Sequence, residues 1–217
     1  MNIQELKDLQ PLVYQQFVTI LEQGRLAHAY LFSGDFASFE MALFLSQALF
    51  CQEKVGVHPC GKCRSCRLIE SNDFSDVTIV APQGNFIKTD TIRELVKNFS
   101  QSGFESSQQV FIIRDAEKMH VNAANSLLKV IEEPQSTIHI FLLTNQEEAV
   151  LPTIKSRTQI ISFPQNLPYL ERFLEEEGLL KTQASLIARL VSSQDEAKSM
   201  ATNKPFVDMW KRMKKFT

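Results

Sequence analysis

At 217 residues and 44% hydrophobic composition, the chain is long enough for one α/β domain with a small appendage and can bury a sizeable core. It has no apolar run near the length of a membrane span, and its start, MNIQELKDLQPLVYQQF, lacks the basic, apolar, small-residue order of a signal peptide, so a soluble cytoplasmic protein is expected. The 23 Lys and Arg against 25 Asp and Glu give a formal charge of -2, which argues against a whole-surface nucleic-acid binder and leaves only a local or shared DNA contact.

In chain order, residues 12 to 23 carry apolar side chains at 13, 17, 20 and 21, a helical stripe that Gly24 closes. Ala29 to Ser33 reads as a buried strand, followed by Gly34, a loop and an apolar helix from about Met41 to Leu49. Strand, glycine turn and helix form the context of a phosphate-binding loop, which needs G-x-x-x-x-G-K-[ST]. Counted from Gly34, the second Gly position is Phe39, the Lys position is Glu40 and the hydroxyl position is Met41. The expected amide cradle, phosphate-neutralising cation and magnesium hydroxyl are therefore all lost. Glu40 in that place would set a carboxylate against phosphate, at a cost of roughly 4 kcal/mol for like charges about 4 Å apart.

Cys51, Cys60, Cys63 and Cys66 use every cysteine in the chain in a Cys-x8-Cys-x2-Cys-x2-Cys pattern. In a cytosolic setting four clustered thiols predict a metal site, and four thiolates satisfy structural zinc with no open position for water. Gly61 permits the tight turn, and Lys62 and Arg64 offset thiolate charge. An iron–sulfur cluster is the competing reading, although the downstream Cys-Pro of the ferredoxin motif is missing. His58, an alternative ligand, is expected to sit exposed on the loop.

Val77 to Ala81 predicts a second strand, and Thr89 to Phe99 a helix with Ile92, Leu95, Val96 and Phe99 inward. Val110 to Ile113 is an unbroken β-branched and aromatic run, expected as an interior strand of a parallel sheet. Asp115 marks its carboxyl end. Ala123, Leu127, Leu128 and Ile131 then form a helical stripe, which Pro134 ends. Ile138 to Leu143 predicts another buried strand, with Thr144 and Asn145 on the same rim as Asp115, and a last strand is expected at about 159 to 163. From Leu167 the texture is helical, with stripes at Leu170, Phe173 and Leu174, at Leu186, Ile187, Leu190 and Val191, and at Phe206, Met209, Trp210 and Met213. The terminal KRMKKF reads as a solvated helix end. The His residues and remaining polar groups suggest no catalytic constellation.

LAHAYLFSG, the four-cysteine insert, NSLLKVIEEP and IKSR, in this order and spacing across about residues 12 to 165, resemble the clamp-loader subunits of bacterial DNA polymerase III, which are AAA+ modules. The resemblance implies an α/β, P-loop NTPase-like parallel sheet flanked by helices over residues 1 to 165, with a zinc insert at about 51 to 66. A small all-α lid follows over 166 to 217. Within that family intact P-loops belong to the motor subunits, gamma/tau, and this degenerate loop is similar to that of a non-motor subunit. The family's two acidic positions fall on Arg114 and Asp115, so Arg114 replaces the magnesium-linked Asp. Ser156 and Arg157 match a Ser-Arg-Cys motif, with Thr158 in place of Cys, whose arginine reaches a neighbour's ATP.

The implied role is a stator in DNA replication that holds the delta and gamma/tau subunits and helps place the sliding clamp on primed DNA. It would have no ATP and no catalysis of its own, within a DNA-directed DNA polymerase holoenzyme that is a nucleotidyltransferase as a complex. An active gamma/tau-like ATPase and a zinc-ribbon nucleic-acid module are the alternatives. Family members also carry a C-terminal collar domain, so a shortened, monomeric chain that assembles poorly is expected.

Overall fold

The computed structural model describes residues 3–98, 108–133, 137–191 and 194–202. The sequence-predicted stripe at Phe206, Met209, Trp210 and Met213, the basic KRMKKF end, Phe99 and the helix-ending Pro134 lie outside the described residues.

Among the described residues five strands form one parallel sheet: β1 (Ala29–Ser33), β2 (Val77–Val80), β3 (Gln108–Ile113), β4 (Thr137–Thr144) and β5 (Gln159–Ser162), in the spatial order β2-β3-β4-β1-β5. The chain leaves β1, builds outward to β2, returns through β3 to β4, and finally adds β5 on the far side of β1. That reversal of direction opens a crevice at the carboxyl end of β1, the place where open α/β sheets take ligands.

The alternation of side chains along each strand sorts two different cores. One face carries Tyr30, Phe32, Val110, Ile112, Phe141 and Leu143, and the other Leu31, Phe111, Ile113, Ile140 and Leu142. The first face is aromatic: Phe32 lies 4.7 Å from Phe163, 5.5 Å from Phe141 and 5.5 Å from Phe17 between ring centroids, in the tilted and edge contacts aromatic rings prefer. It is covered by α1 (Ile3–Leu9), α2 (Pro11–Glu22), α3 (Ser38–Phe50) and α4 (Arg64–Glu70). The second, aliphatic face is covered by α5 (Thr89–Asn98), α6 (Val121–Glu132) and α7 (Pro152–Lys155).

Among the described residues three further helices follow the sheet: α8 (Leu167–Glu176), α9 (Lys181–Leu190) and α10 (Gln194–Thr202). Their buried Leu170, Leu174, Ala184, Ile187, Ala188, Val191 and Ala197 are continuous with the aromatic core. The α9 stripe differs from expectation, because Leu190 is exposed and Leu186 only half-buried, while Ala184 and Ala188 face inward. Small residues there let α9 approach α8 closely. In α6, likewise, Ala124 and Val130 join the buried stripe and Leu128 is only partly covered.

Helix α1 was not anticipated from the pattern, and it is tied down by polar groups at the other end of the chain. The Asn166 amide donates to the carbonyls of Asp8 and Leu9 at 3.0 and 3.1 Å, while its side-chain oxygen caps α8 at Tyr169 N–H. Gln10, 4% exposed, donates to Phe36 O at 2.8 Å and Pro164 O at 2.7 Å.

Candidate functional site

The loop after β1 sits in the sheet's crevice. Gly34 accepts no side chain: its φ is +114°, and a Cβ there would lie 2.3 Å from Phe163 O. Its N–H donates to Thr144 O at 2.8 Å, so the loop is stitched to both neighbouring strand ends. Ala37, at φ 64°, holds the left-handed conformation immediately before α3. Gln10 grips the same loop through Phe36 O.

The three positions that replace the P-loop consensus go separate ways. Met41 is fully buried in the aromatic core. Phe39 is half-buried under the Arg114 guanidinium, whose carbon lies 4.9 Å from the ring centroid. Glu40 lines a small crevice with Ile3, Leu6, Leu43, Phe44, Gln47 and Glu70, on the α1 and α4 side of α3. The distinguishing contact here is the cation–π pair of Phe39 and Arg114. This pair joins two of the sequence-predicted positions, one in the first turn of α3 and one just after β3.

Beside them, Asp115 is left-handed, at φ 51°, and its carboxylate lies 3.6 Å from Lys118 Nζ. Thr144, 4% exposed, donates through Oγ1 to Glu117 Oε2 at 2.6 Å and accepts from Gln146 N–H at 3.0 Å. Asn145 is exposed. This polar rim holds loops together, and the Glu117–Thr144 link was not foreseen.

The cysteine cluster closes over the end of α3. Cys51 follows α3, Cys60 and Cys63 lie on the loop, and Cys66 sits in α4. Gly61 is left-handed, at φ 69°, as its turn requires. All four thiols are free of disulfides, and their sulfurs lie within 4.8 Å of one another, with Cys63 and Cys51 at 3.9 Å. Four sulfurs about 2.3 Å from a common centre are roughly 3.8 Å apart in a tetrahedron, so the cluster can hold a metal ion. Backbone amides already point at sulfur: Cys60 N–H at Cys51 Sγ, 3.3 Å, and Cys63 N–H at Cys60 Sγ, 3.2 Å.

Their surroundings set the thiols apart in acidity. Burial pushes Cys51 and Cys66 up. At Cys63 burial is again the largest influence, but hydrogen bonds from the Cys66 backbone and from the Cys66 and Cys60 side chains together bring it down to about 7. A bound cation would favour the thiolate at all four. His58 is half-buried, with its ring 6.2 Å from that of Tyr14, rather than exposed. It is held there by paired backbone hydrogen bonds with Val55.

Ser156 and Arg157 are exposed in the turn between α7 and β5. They precede a strand whose carboxyl end faces the crevice, so they lie toward the opposite rim of the sheet and are not brought together with the β1 loop. Arg157 Nε donates to Glu132 Oε1, and Nη1 donates to Thr153 O and Ser156 Oγ, both at 3.2 Å. Glu132, the final residue of α6, escaped sequence reasoning. Its signal was an acidic residue at a helix C-terminus, where the dipole disfavours negative charge.

A protein-family model described as "DNA polymerase III, delta subunit" matches residues 9–166. The chain is 38% identical over 207 residues to the DNA polymerase III subunit delta' of Bacillus subtilis, covering 94% of this chain and 63% of that relative. It is 33% identical over 175 residues to the gamma/tau subunit of Mycobacterium tuberculosis, covering 76% of this chain and 30% of that one. The chain therefore spans less than two thirds of the length of either relative. A DNA polymerase III gamma subunit-related protein of Thermotoga maritima, 24% identical, shares the fold with a TM-score of 0.55 over 85% of this chain and 57% of that structure.

Proposed function

The chain belongs to the DNA polymerase III delta-prime family with an AAA+-like fold, and from that membership we propose that it is a clamp-loader stator without a working ATP site of its own. The observation that carries this reading is the β1 loop. Where a motor subunit would offer glycine, lysine and a hydroxyl, this chain has a ring stacked on Arg114, a carboxylate turned toward α1 and a methionine buried in the core. Arg114 also stands in the magnesium-linked position.

In this role the chain holds the delta and gamma/tau subunits and helps load the sliding clamp onto primed DNA. Its chemical contribution is Arg157, which with Ser156 acts in trans on a neighbour's ATP. A guanidinium there stabilises charge that builds on the transferring phosphoryl group, an effect worth about 10³ to 10⁵ in rate in well-studied cases. The four cysteines bind zinc as a structural ion, which four thiolates suit because they leave no open coordination position. Work in the cytoplasm accords with this role, and among the described residues no helix is long and apolar enough to cross a membrane.

The test is Arg157→Ala in a full-length protein reassembled with its partners. DNA-stimulated ATP hydrolysis at the adjacent site is expected to fall by at least tenfold and clamp loading to slow, with the melting temperature of the chain nearly unchanged. Lysine is expected not to rescue the rate, since a point charge lacks the planar fork. Normal hydrolysis and loading with Arg157→Ala would remove the in trans role.

A further inference from the structure

The arginine assigned to a neighbour's phosphate is already occupied within its own chain. Its Nε edge faces the Glu132 carboxylate, and its Nη1 is shared between Thr153 O and Ser156 Oγ. The carboxylate comes from α6 and the guanidinium from the turn after α7, so the pair bridges two separate helices. Neither partner is buried: the side chains are 40% and 48% exposed. Glu132 gains nothing from its own helix, because a negative charge in the last turn opposes the helix dipole. Its placement is accounted for by the arginine it holds.

Resting on the reading of Arg157 as a residue that acts in trans, we propose that Glu132 is a positioning residue. It keeps the guanidinium folded back on its own module and releases it to a more highly charged oxyanion, the terminal phosphate of a nucleoside triphosphate bound by the neighbouring subunit. Carboxylate and phosphate both match the planar fork of arginine, so one can replace the other without the side chain changing its donors. Exchange is easy because the pair is solvent-exposed, and pairs of this kind bias an equilibrium only about two- to five-fold. The latch therefore leaves the chemical step alone and raises the triphosphate concentration at which the arginine engages.

The experiment compares Glu132→Gln, Arg157→Ala and the double variant in the full-length protein reassembled with its partner subunits, using ATP and primed DNA. Glutamine keeps the shape and removes the charge. Glu132→Gln is expected to lower the KM for ATP at the adjacent site about two- to five-fold with kcat unchanged, and the double variant is expected to match Arg157→Ala. In the chain alone, the Arg157 Nε–H resonance is expected to move toward that of a solvated arginine in Glu132→Gln. A Glu132→Gln assembly with wild-type KM would overturn the latch, as would one whose kcat falls as it does in Arg157→Ala. An Arg157→Ala assembly with normal ATPase would instead remove the underlying reading, so the two failures are told apart.

Discussion

Gly34 shows how much a single position settles. At φ +114° with Phe163 O in the place of a Cβ, alanine brings both backbone strain of about 1–3 kcal/mol and a collision with main chain. Gly34→Ala is expected to lower the melting temperature by roughly 2–12 °C in a chain of this size, at about 2–4 °C per kcal/mol, measured by calorimetry. For that reason a Gly34 variant is a poor probe of nucleotide binding, since loss of fold and loss of ligand would coincide. His139 permits a second prediction. It is 7% exposed, and Nδ1 must carry the proton because its partner, Ala27 O at 3.0 Å, can only accept. Burial holds its pKa below the ordinary 6.5 despite that hydrogen bond and with a further downward push from His28. The folded state thus resists protonation more than the unfolded chain does. The stability this group contributes is complete above about pH 6.5 and is lost as pH falls from there through the lowered folded value. His139→Gln is expected to flatten the decline in urea midpoint between pH 6.5 and 5; an unchanged slope would refute it.

Among the elements, the cysteine insert is the one built from local sequence. Its sulfurs are separated by at most fifteen positions along the chain, and its connection to the rest runs through α3, α4, the Gln47 amide on Cys66 O at 2.9 Å and His58 against Tyr14. Metal removal should therefore unfold the insert before the sheet. Elemental analysis is expected to give about one zinc per chain with Zn–S near 2.3 Å. A strong chelator, or Cys66→Ser, should expose the amides of residues 51–66 to hydrogen exchange while those of β3 and β4 stay protected. A brown, visibly absorbing protein, or an unchanged exchange pattern after chelation, would count against zinc.

For the whole molecule, the prediction concerns what the crevice at β1 refuses. Calorimetric titration of the chain with ATP and magnesium is expected to show no tight binding, because Phe39, Glu40 and Met41 stand at the glycine, lysine and hydroxyl positions counted from Gly34. Micromolar affinity would mean that the loop reorganises around phosphate, and the stator reading would lose its main support. Arg114→Ala sharpens the test: it frees Phe39 from its cation–π partner without restoring any phosphate ligand, so affinity should remain weak. If removing Arg114 instead opens a tight site, the guanidinium is a plug rather than a symptom of decay.

Short-range chemistry alone determined much of this protein. The strands were legible because β1, β3 and β4 are apolar runs buried on both faces, and the cysteine cluster because its four thiols are near neighbours along the chain. The departures from G-x-x-x-x-G-K-[ST] were legible because that motif is contiguous. What only the tertiary structure decided are the meetings of residues far apart in sequence: Gln10 with Pro164, Asn166 with α1, Phe39 with Arg114, Arg157 with Glu132. No periodicity encodes them. Helix α1 is short and is held by buried Leu6 and Leu9 together with those polar ties, Leu190 lies on the outer side of a stripe drawn by spacing alone, and Glu40 shares a crevice with Ile3 and Leu6 while the adjacent Met41 is buried. Local pattern specifies which faces are apolar; which polar group then finds which depends on how the packed layers bring their edges together.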